Sequence, residues 1–377
     1  MNDRERYCAA LTFQAADKIP LLPGWPREST LRAWHSQGLP HEGGWHTHLM
    51  DRLGIEYQPS SEEHFNLDKC FKMIPVFEEK VLEHRGGHYI VQDWMGAITE
   101  IADTYDYTYI RSAKDFVTRK WHSFPVASRK DWQEKMQWRY DPRHPQRLPE
   151  DLDQIAEKLA ERTTPFQLTI PGPFWQMREW CGFENLCLML IDDPGFTQEM
   201  AGMWGQFVLD VLEPILTKIQ PDVVMVNEDM AYKLHSMISP RMVRKVLLPI
   251  WQAWTSTLKQ SGCRVIGIDS DGYIGELLPI WIEAGFNCSF PVEVAAGNDI
   301  VEYRHIYGKQ MAFLGGIDKR AIAAGGQTMR SEVLRVVPPL LEDGGFIPSC
   351  DHGVPPDIAW DDFVEYARLL AQLPGWL

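Results

Sequence analysis

Acidic residues recur directly after short apolar segments in the C-terminal half of the sequence. Asp269 and Asp271 follow the apolar segment Val265–Ile268, and Glu293 follows the next such segment along the chain. A carboxyl group in this position can transfer protons or bind a divalent cation. Aspartate is also a preferred helix N-cap, so either aspartate could instead begin the helix predicted over Tyr273–Ala284. The residue types therefore allow acid–base chemistry, metal binding or helix capping.

The same pattern, an apolar segment of strand length followed by polar groups, occurs three more times. The polar residues are Asn227, Glu228 and Asp229, then Asp318, Lys319 and Arg320, and finally Cys350, Asp351 and His352. Strands that alternate with helices form parallel β/α units, and in a closed barrel their carboxyl ends meet at one mouth. The sequence therefore predicts an α/β fold, a (β/α)8 TIM barrel with these polar groups at its mouth.

The barrel is predicted to occupy residues 151–377, with its first regular strand at Phe166–Ile170. Residues 1–150 are predicted to form an N-terminal α+β elaboration that packs on the barrel and contributes at least one strand. Within this part, Arg4–Phe13 has the pattern of a short helix. The alternating apolar residues of Tyr89–Asp106 predict an antiparallel hairpin.

Two loops near the predicted mouth carry residues that could bind a substrate. The segment Leu21–Glu28 contains prolines and a glycine, which predicts a rigid loop that could hold Arg27 for a carboxylate or phosphate. A surface arginine without such a role is the alternative. Residues 171–178 are predicted to form a loop after the first barrel strand, so Trp175 and Arg178 could face the mouth.

Composition limits the class of protein. The 377 residues are 45% hydrophobic and 24% charged, which is typical of a globular protein with a large core. The net charge of −15 argues against nucleic acid as a partner, and no apolar stretch is long enough to span a bilayer. Seven cysteines without a CxxC pair indicate a reducing compartment, so a cytoplasmic location is expected. The sequence contains no P-loop, and no GxGxxG motif lies between a strand and a helix, so a nucleotide cofactor is not expected.

Four histidines, His35, His41, His46 and His48, form the densest histidine cluster in the sequence. These histidines could bind a metal ion, or they could be unrelated residues of a loop. The spacing of His46 and His48 would place their rings on opposite sides of a helix or on one side of a strand, and the adjacent Gly43 and Gly44 indicate a loop, which favours the second interpretation.

Several segments resemble the uroporphyrinogen decarboxylase superfamily, which also contains corrinoid-linked methyltransferases. These segments are NEDMAY, ISPRMVRKVLLP, DSDGYIGELLPIWIEAG, PVEVAAG, YGKQMAFLGGIDKR and GGFIPSCDHGVPPDI. Orthodox uroporphyrinogen decarboxylases carry an arginine-rich N-terminal motif, where this chain has the sequence PGWPR at residues 23–27. The resemblance therefore implies the superfamily's barrel fold without implying decarboxylation of uroporphyrinogen.

The zinc methyltransferases of the superfamily imply a metal site at the mouth. Their His-x-Cys pattern falls here on Asp269 and Asp271, their later acid on Glu293 and their last cysteine on Cys350. With His352, these residues form the predicted ligand set for a divalent metal, either zinc or a harder ion. The alternative is a metal-free site in which Cys350 is a small buried residue and His352 a loop residue.

The leading functional prediction is an enzyme that moves a methyl group between a small methylated substrate and an acceptor. The acceptor would be a thiol or a corrinoid on a separate partner protein, and the oligomeric state is left open, with a homodimer as one option. An acid would protonate the leaving heteroatom. The predicted catalytic residues are Glu228, Asp271 and Asp318. The predicted substrate-binding residues are Arg27, Trp175, Arg178, Asp229, Lys319 and Asp351.

Two alternatives stay open at this point. One is a decarboxylase that acts on a tetrapyrrole or a small carboxylic acid, which would need carboxylates and an arginine and no metal. The other is a barrel without catalytic activity that binds a cofactor or a corrinoid protein.

Overall fold

The computed structural model describes residues 1–57, 60–108 and 117–377. Its strands form two sheets. The first is an antiparallel meander with the strands β1 Lys80–Arg85, β2 His88–Gln92, β3 Ile98–Ala102 and β4 Arg119–Ser123. The second is parallel, with its strands side by side in chain order: β5 Gln167–Pro171, β6 Val223–Asn227, β7 Val265–Asp269, β8 Cys288–Phe290, β9 Ala312–Ile317 and β10 Phe346–Cys350.

Helices surround the parallel sheet and fill the N-terminal part of the chain. The first five are α1 Asp3–Leu11, α2 Glu28–Ser36, α3 Trp45–Leu53, α4 Arg129–Asp131 and α5 Leu152–Ala160. The next five are α6 Pro173–Cys181, α7 Phe183–Asp192, α8 Pro194–Leu216, α9 Pro240–Val246 and α10 Leu248–Gln260. The last five are α11 Leu278–Ala284, α12 Ile300–Tyr307, α13 Lys319–Ala324, α14 Gly326–Asp343 and α15 Trp360–Gln372. No described helix is long and apolar enough to cross a membrane.

The parallel strands bring their carboxyl ends to one level. Asn227 at the end of β6 is paired with Asp269 at the end of β7, and Asp269 is in turn paired with Phe290 at the end of β8. Strand β6 is buried along nearly its whole length, as expected for a parallel strand inside an α/β fold. The residues that follow these three strands therefore lie next to one another.

The N-terminal part of the chain contributes to the barrel. Pro26 forms a parallel bridge with Val354, and the Cys350 N–H donates to the Pro23 carbonyl over 3.0 Å. This places the segment before α2 alongside β10, at one edge of the six-stranded sheet. At the other edge, the Thr169 N–H of β5 donates to the Asp68 carboxylate over 2.8 Å. The architecture is the predicted (β/α)8 TIM barrel with an N-terminal α+β elaboration.

The predicted hairpin over Tyr89–Asp106 is confirmed, because β2 and β3 pair antiparallel within it. The predicted loop over residues 171–178 is wrong, since α6 begins at Pro173. Proline suits the first turn of a helix, where its missing N–H has no partner to lose. Residues 240–260 form two helices, α9 and α10. Pro249 accounts for the break, because it cannot donate a helical hydrogen bond.

The helix predicted from Tyr273 begins only at Leu278. The chain first makes a turn at Gly272, whose φ of +81° favours glycine. A side chain at Gly272 would also meet the Ala231 carbonyl oxygen at 2.5 Å. Neither Asp269 nor Asp271 therefore caps this helix, which removes the structural explanation that competed with a functional one.

Candidate active site

A cavity of about 620 Å³ lies inside the barrel and reaches the carboxyl ends of the strands. All six parallel strands contribute to its wall, together with α1, α6 and the segment before α2. Its ionisable wall residues at the carboxyl ends are Asp229, Asp269, Asp271, Cys350 and His352, and its aromatic wall residues include Trp25, Trp175 and Phe290. This is where barrel enzymes place their active sites.

The three aspartates of the cavity lie close together. The Asp271 N–H donates to Asp229 Oδ1 over 3.1 Å. Asp269 ends β7, and its carbonyl accepts from the Asp229 N–H over 3.2 Å. Burial raises the pKa of Asp269 to about 7, and the charges of Asp271 and Asp229 contribute to the increase. Burial and Asp271 likewise raise the pKa of Asp229. Asp269 can therefore hold a proton near neutral pH.

Asp271 also contacts an imidazole that lies beside a guanidinium. His352 Nε2 is 3.4 Å from Asp271 Oδ1, and Arg27 Nη2 is 3.3 Å from His352 Nδ1. An arginine can only donate hydrogen bonds, so Nδ1 accepts and the ring proton lies on Nε2, directed at Asp271. The hydrogen bond to Asp271 raises the pKa of His352, although burial opposes it. The structure thus brings together three of the predicted site residues from distant parts of the chain.

Glu228 is fully buried and is not among the residues that line the cavity. Its Oε2 accepts from the Phe174 and Trp175 N–H groups over 3.0 and 3.1 Å, at the N-terminus of α6. Its Oε1 accepts from the Trp251 indole over 2.8 Å. Burial raises the pKa of Glu228 to about 8. The residue that sequence reasoning assigned to catalysis is placed as an anchor between β6, α6 and α10.

A second charged cluster lies beside the cavity rather than in its wall. The Lys319 ammonium donates to Glu293 Oε1 over 2.9 Å and is 3.8 Å from Asp351 Oδ1. Asp351 is fully buried and accepts from the Val294 and Lys319 N–H groups over 2.9 and 3.1 Å. Glu293 Oε2 accepts from the Gly272 N–H over 3.1 Å. These contacts join the loops that follow four neighbouring strands, β7 to β10, and they stabilise the mouth.

Asp318 is the N-cap of α13, and its carboxylate accepts from the Arg320 N–H and the Arg320 guanidinium. Burial acts to raise the pKa of Asp318, but the hydrogen bonds from Arg320 outweigh it and lower the pKa. Asp318 is not among the cavity residues either. Its geometry is that of a structural cap, whereas sequence reasoning assigned it to catalysis.

Trp175 and Arg178 lie on α6 and not on the predicted loop. The Arg178 guanidinium donates to the Asp229 carbonyl over 2.7 Å and lies 4.6 Å from the centre of the Trp175 ring. Asp229 has a φ of +46°, a left-handed conformation that aspartate adopts more readily than most residues. Arg178 therefore stabilises the backbone of Asp229 and is not among the residues that line the cavity, whereas Trp175 lines it.

The predicted metal ligands do not assemble into a metal site. Within residues 1–57, 60–108 and 117–377, no group of three or more His, Cys, Asp and Glu side chains could hold a metal ion. Asp271 and His352 adjoin, but Glu293 is bonded to Lys319. Burial raises the pKa of the Cys350 thiol to about 12, which opposes the thiolate that a metal would need. The arrangement of these side chains does not fit the predicted metal site.

The histidine-rich segment has other contacts. The His35 and His41 rings stack with centroids 4.0 Å apart, and the His48 ring contacts the Glu42 carbonyl. The His46 ring packs edge-on against Trp45. His46 and His48 lie on α3, so the predicted loop is wrong for these two residues.

Sequence reasoning missed several residues of the cavity wall. Gln167 and Thr169 of β5 line it from positions two residues apart, and Met225 of β6 lines it two residues before the predicted Asn227. Tyr7 of α1 lines it as well. Side chains two apart on a strand share one face, so polar residues at alternate positions of a barrel strand are a signal that could have found them.

Comparisons with known proteins agree with this fold. No curated protein matches the sequence. The solved structure of a methyltransferase from Methanosarcina mazei is similar to this chain, with 14% sequence identity. The match covers 99% of this chain and 98% of that chain, and its TM-score of 0.56 shows a shared fold. A B12-independent methionine synthase from Shewanella sp. W3-18-1, solved in complex with selenomethionine, has 13% identity, 59% and 64% coverage and a TM-score of 0.35, too low to carry an argument. The sequence profile described as Uroporphyrinogen decarboxylase (URO-D) matches residues 125–368, well over half of the chain. The chain therefore belongs to the uroporphyrinogen decarboxylase family.

Proposed function

We propose that this chain is an enzyme that removes a methyl group from a small methylated compound bound in the barrel cavity. The methyl group passes to a thiol or to a corrinoid carried by a separate protein. The observation that carries the proposal is Asp269, a carboxyl group in the cavity wall whose pKa burial raises to about 7. The fold shared with a methyltransferase over nearly the whole chain supports it.

Methyl transfer from oxygen, nitrogen or sulfur breaks a carbon–heteroatom bond, and the electron pair stays on the heteroatom. A proton supplied to that atom makes it a better leaving group. Asp269 lies in the cavity and holds a proton near neutral pH, which suits this task better than Glu228, which lies behind the wall. The acceptor supplies the nucleophile that takes the methyl group. The contact between Asp271 and His352 can return a proton to the aspartate cluster.

Decarboxylation of a polycarboxylate such as a tetrapyrrole is less well supported. Three aspartates in the cavity wall would face the carboxylates of such a substrate, and like charges repel. The two arginines of the predicted site have other contacts, because Arg178 binds the backbone of Asp229 and Arg27 contacts His352. The charge of the cavity therefore favours methyl transfer over decarboxylation.

The proposal is tested by incubating the purified protein with O-, N- and S-methylated compounds and, under reducing conditions, either cobalamin or a thiol as the acceptor. Demethylated products are measured by mass spectrometry. We expect turnover with at least one class, and a loss of about 10²- to 10⁴-fold in Asp269→Asn, as for removal of a general acid. Asp192→Asn, which removes an exposed carboxylate of α7, is the matched control and should keep full activity.

Absence of methyl transfer by the wild-type protein with both acceptors would refute the proposed function. Release of CO2 from a carboxylic acid would support the decarboxylase instead. Equal losses of activity in Asp269→Asn and Asp192→Asn would show that Asp269 has no special role.

A further inference from the structure

The cavity has an imbalance of charge. Asp229, Asp269 and Asp271 line it, while no lysine or arginine is among the described residues of its wall. His352 is the one ionisable base among these wall residues. An aspartate that faces a cavity of about 620 Å³ without a cation there is a group that a positively charged ligand would stabilise.

Among the described residues, three cations lie next to the cavity, and one of them, Arg27, contacts the wall residue His352 over 3.3 Å. The Arg178 guanidinium lies over Trp175 and donates to the Asp229 backbone, with 3.6 Å to the Asp229 carboxylate. Lys319 is bonded to Glu293 in the neighbouring cluster. Arg178 and Lys319 therefore contact groups other than Asp269 and Asp271, and Asp271 itself contacts the His352 imidazole over 3.4 Å.

Aromatic rings add a second feature that suits a cation. Phe290 is paired with Asp269 in the register of β7 and β8, so an aromatic ring and a carboxylate lie side by side in the wall. Trp175 lines the same cavity, and its ring already lies close to the Arg178 guanidinium. Trp25 is 70% exposed and also lines the cavity. Aromatic faces attract cations, and methylated ammonium groups are typical ligands of such walls.

We infer that the methylated substrate is a cation, namely a protonated N-methylamine, rather than a neutral methyl ether or thioether. The inference rests on the proposed function, because it names the substrate class for that same site. The ammonium N–H would donate to Asp269 or Asp271 while its methyl groups contact the aromatic wall. Nearby carboxylates favour the charged form of the amine and keep it protonated.

For an amine substrate, the proton that Asp269 supplies to the leaving atom is already on the nitrogen, and Asp269 acts as the carboxylate that binds the ammonium. The C–N bond breaks, its electron pair stays on nitrogen, and the nitrogen keeps the proton that it already carries. The substrate therefore leaves as a neutral amine with one methyl group fewer. The nucleophile of the acceptor forms the new bond to the methyl carbon.

Binding of two isosteres to the wild-type protein tests the inference. N,N-dimethylethanolamine is a cation at pH 7, and 3-methylbutan-1-ol has the same shape with C–H in place of N⁺–H. We expect calorimetry to show a dissociation constant at least about tenfold lower for the amine, as for a hydrogen bond to a charged group. Equal affinity, or tighter binding of the alcohol, would overturn the inference.

Variants locate the effect. Asp269→Asn and Asp271→Asn should each reduce the preference for the cation, whereas the surface control Asp192→Asn should keep it. A preference that is unchanged in both cavity variants would overturn the assignment to this cavity. The wild-type comparison decides the sign of the preference even if one variant fails to fold.

Turnover separates this inference from the proposed function. Transfer from methyl ethers but not from N-methylamines would refute the inference and leave the proposed function standing. Preferential binding of the amine without transfer to a thiol or to cobalamin would support the cation site and refute the methyltransferase.

Discussion

Glu228→Gln should change the pH dependence of stability, because Glu228 is a buried acid. Burial raises its pKa to about 8, against 4.5 for an ordinary glutamate. The folded state therefore binds this proton more tightly than the unfolded state does. The stability that the protonated group contributes is fully present below pH 4.5 and is lost as the pH rises through about 8.

The size of the effect follows from these two values. Each pKa unit corresponds to about 1.4 kcal/mol, so ionisation of Glu228 should reduce the free energy of unfolding by about 4 kcal/mol between pH 5 and 9. Glutamine cannot ionise and avoids this loss. Its amide nitrogen must face one of the three N–H donors, among them the Trp251 indole, which costs about 1 to 3 kcal/mol at every pH. We therefore expect the variant to be less stable than wild type at pH 5 and as stable or more stable at pH 9.

Urea unfolding followed by tryptophan fluorescence at pH 5, 6, 7, 8 and 9 measures both proteins. Glu157→Gln removes an exposed carboxyl group of α5 and controls for the change in net charge. Its stability should follow that of the wild type. If the curves of wild type and Glu228→Gln stay parallel from pH 5 to 9, the three donors keep Glu228 ionised and the reasoning from burial is refuted.

Three further predictions concern the rest of the barrel. Asp222→Ala removes the carboxylate that Arg4 and Arg162 share at the amino ends of the strands, so it should lower the free energy of unfolding in urea by about 3 kcal/mol without changing kcat. A full loss of activity in the folded variant would contradict this prediction. Gly24→Ala should reduce the free energy of unfolding by about 2 to 4 kcal/mol and lower the thermal midpoint, because Gly24 has a φ of +134° and the added methyl group would lie 2.8 Å from Val354 and 2.9 Å from Cys350. An unchanged midpoint would contradict this prediction. Asp271→Asn should lower the pKa of His352, because the hydrogen bond to Asp271 raises it. NMR titration of the imidazole measures this pKa, and a higher value in the variant would contradict the contact between the two residues.

Local sequence patterns were sufficient to predict the strands of the barrel and the placement of polar groups at their carboxyl ends. Runs such as Val223–Val226 are apolar and rich in β-branched residues, which suits strands buried on both faces, and the structure confirms β6 there. The predicted loop over residues 171–178 was wrong, because proline occurs both in loops and at the start of helices such as α6.

The division of the carboxylates into cavity and framework depended on tertiary contacts. Asp229 and Glu228 are adjacent in the sequence, yet one lines the cavity and the other accepts hydrogen bonds from α6 and α10 behind it. Likewise, Lys319 and Glu293 both follow strands, and the structure pairs them with each other. No local pattern distinguishes these cases, since each depends on which donors other elements bring near the carboxyl group.

The sequence by itself determined that acids and an imidazole would follow parallel strands, because strand length, apolar content and the direction of each β/α unit are local properties. Only the tertiary structure decided that Arg27 contacts His352, 325 residues away, and that Asp271 lies on the other side of that ring. It also decided that Asp269 is shielded enough for its pKa to rise to about 7. Burial and the distances between charges set the protonation of these groups, and both quantities exist only once strands distant in the sequence have packed together.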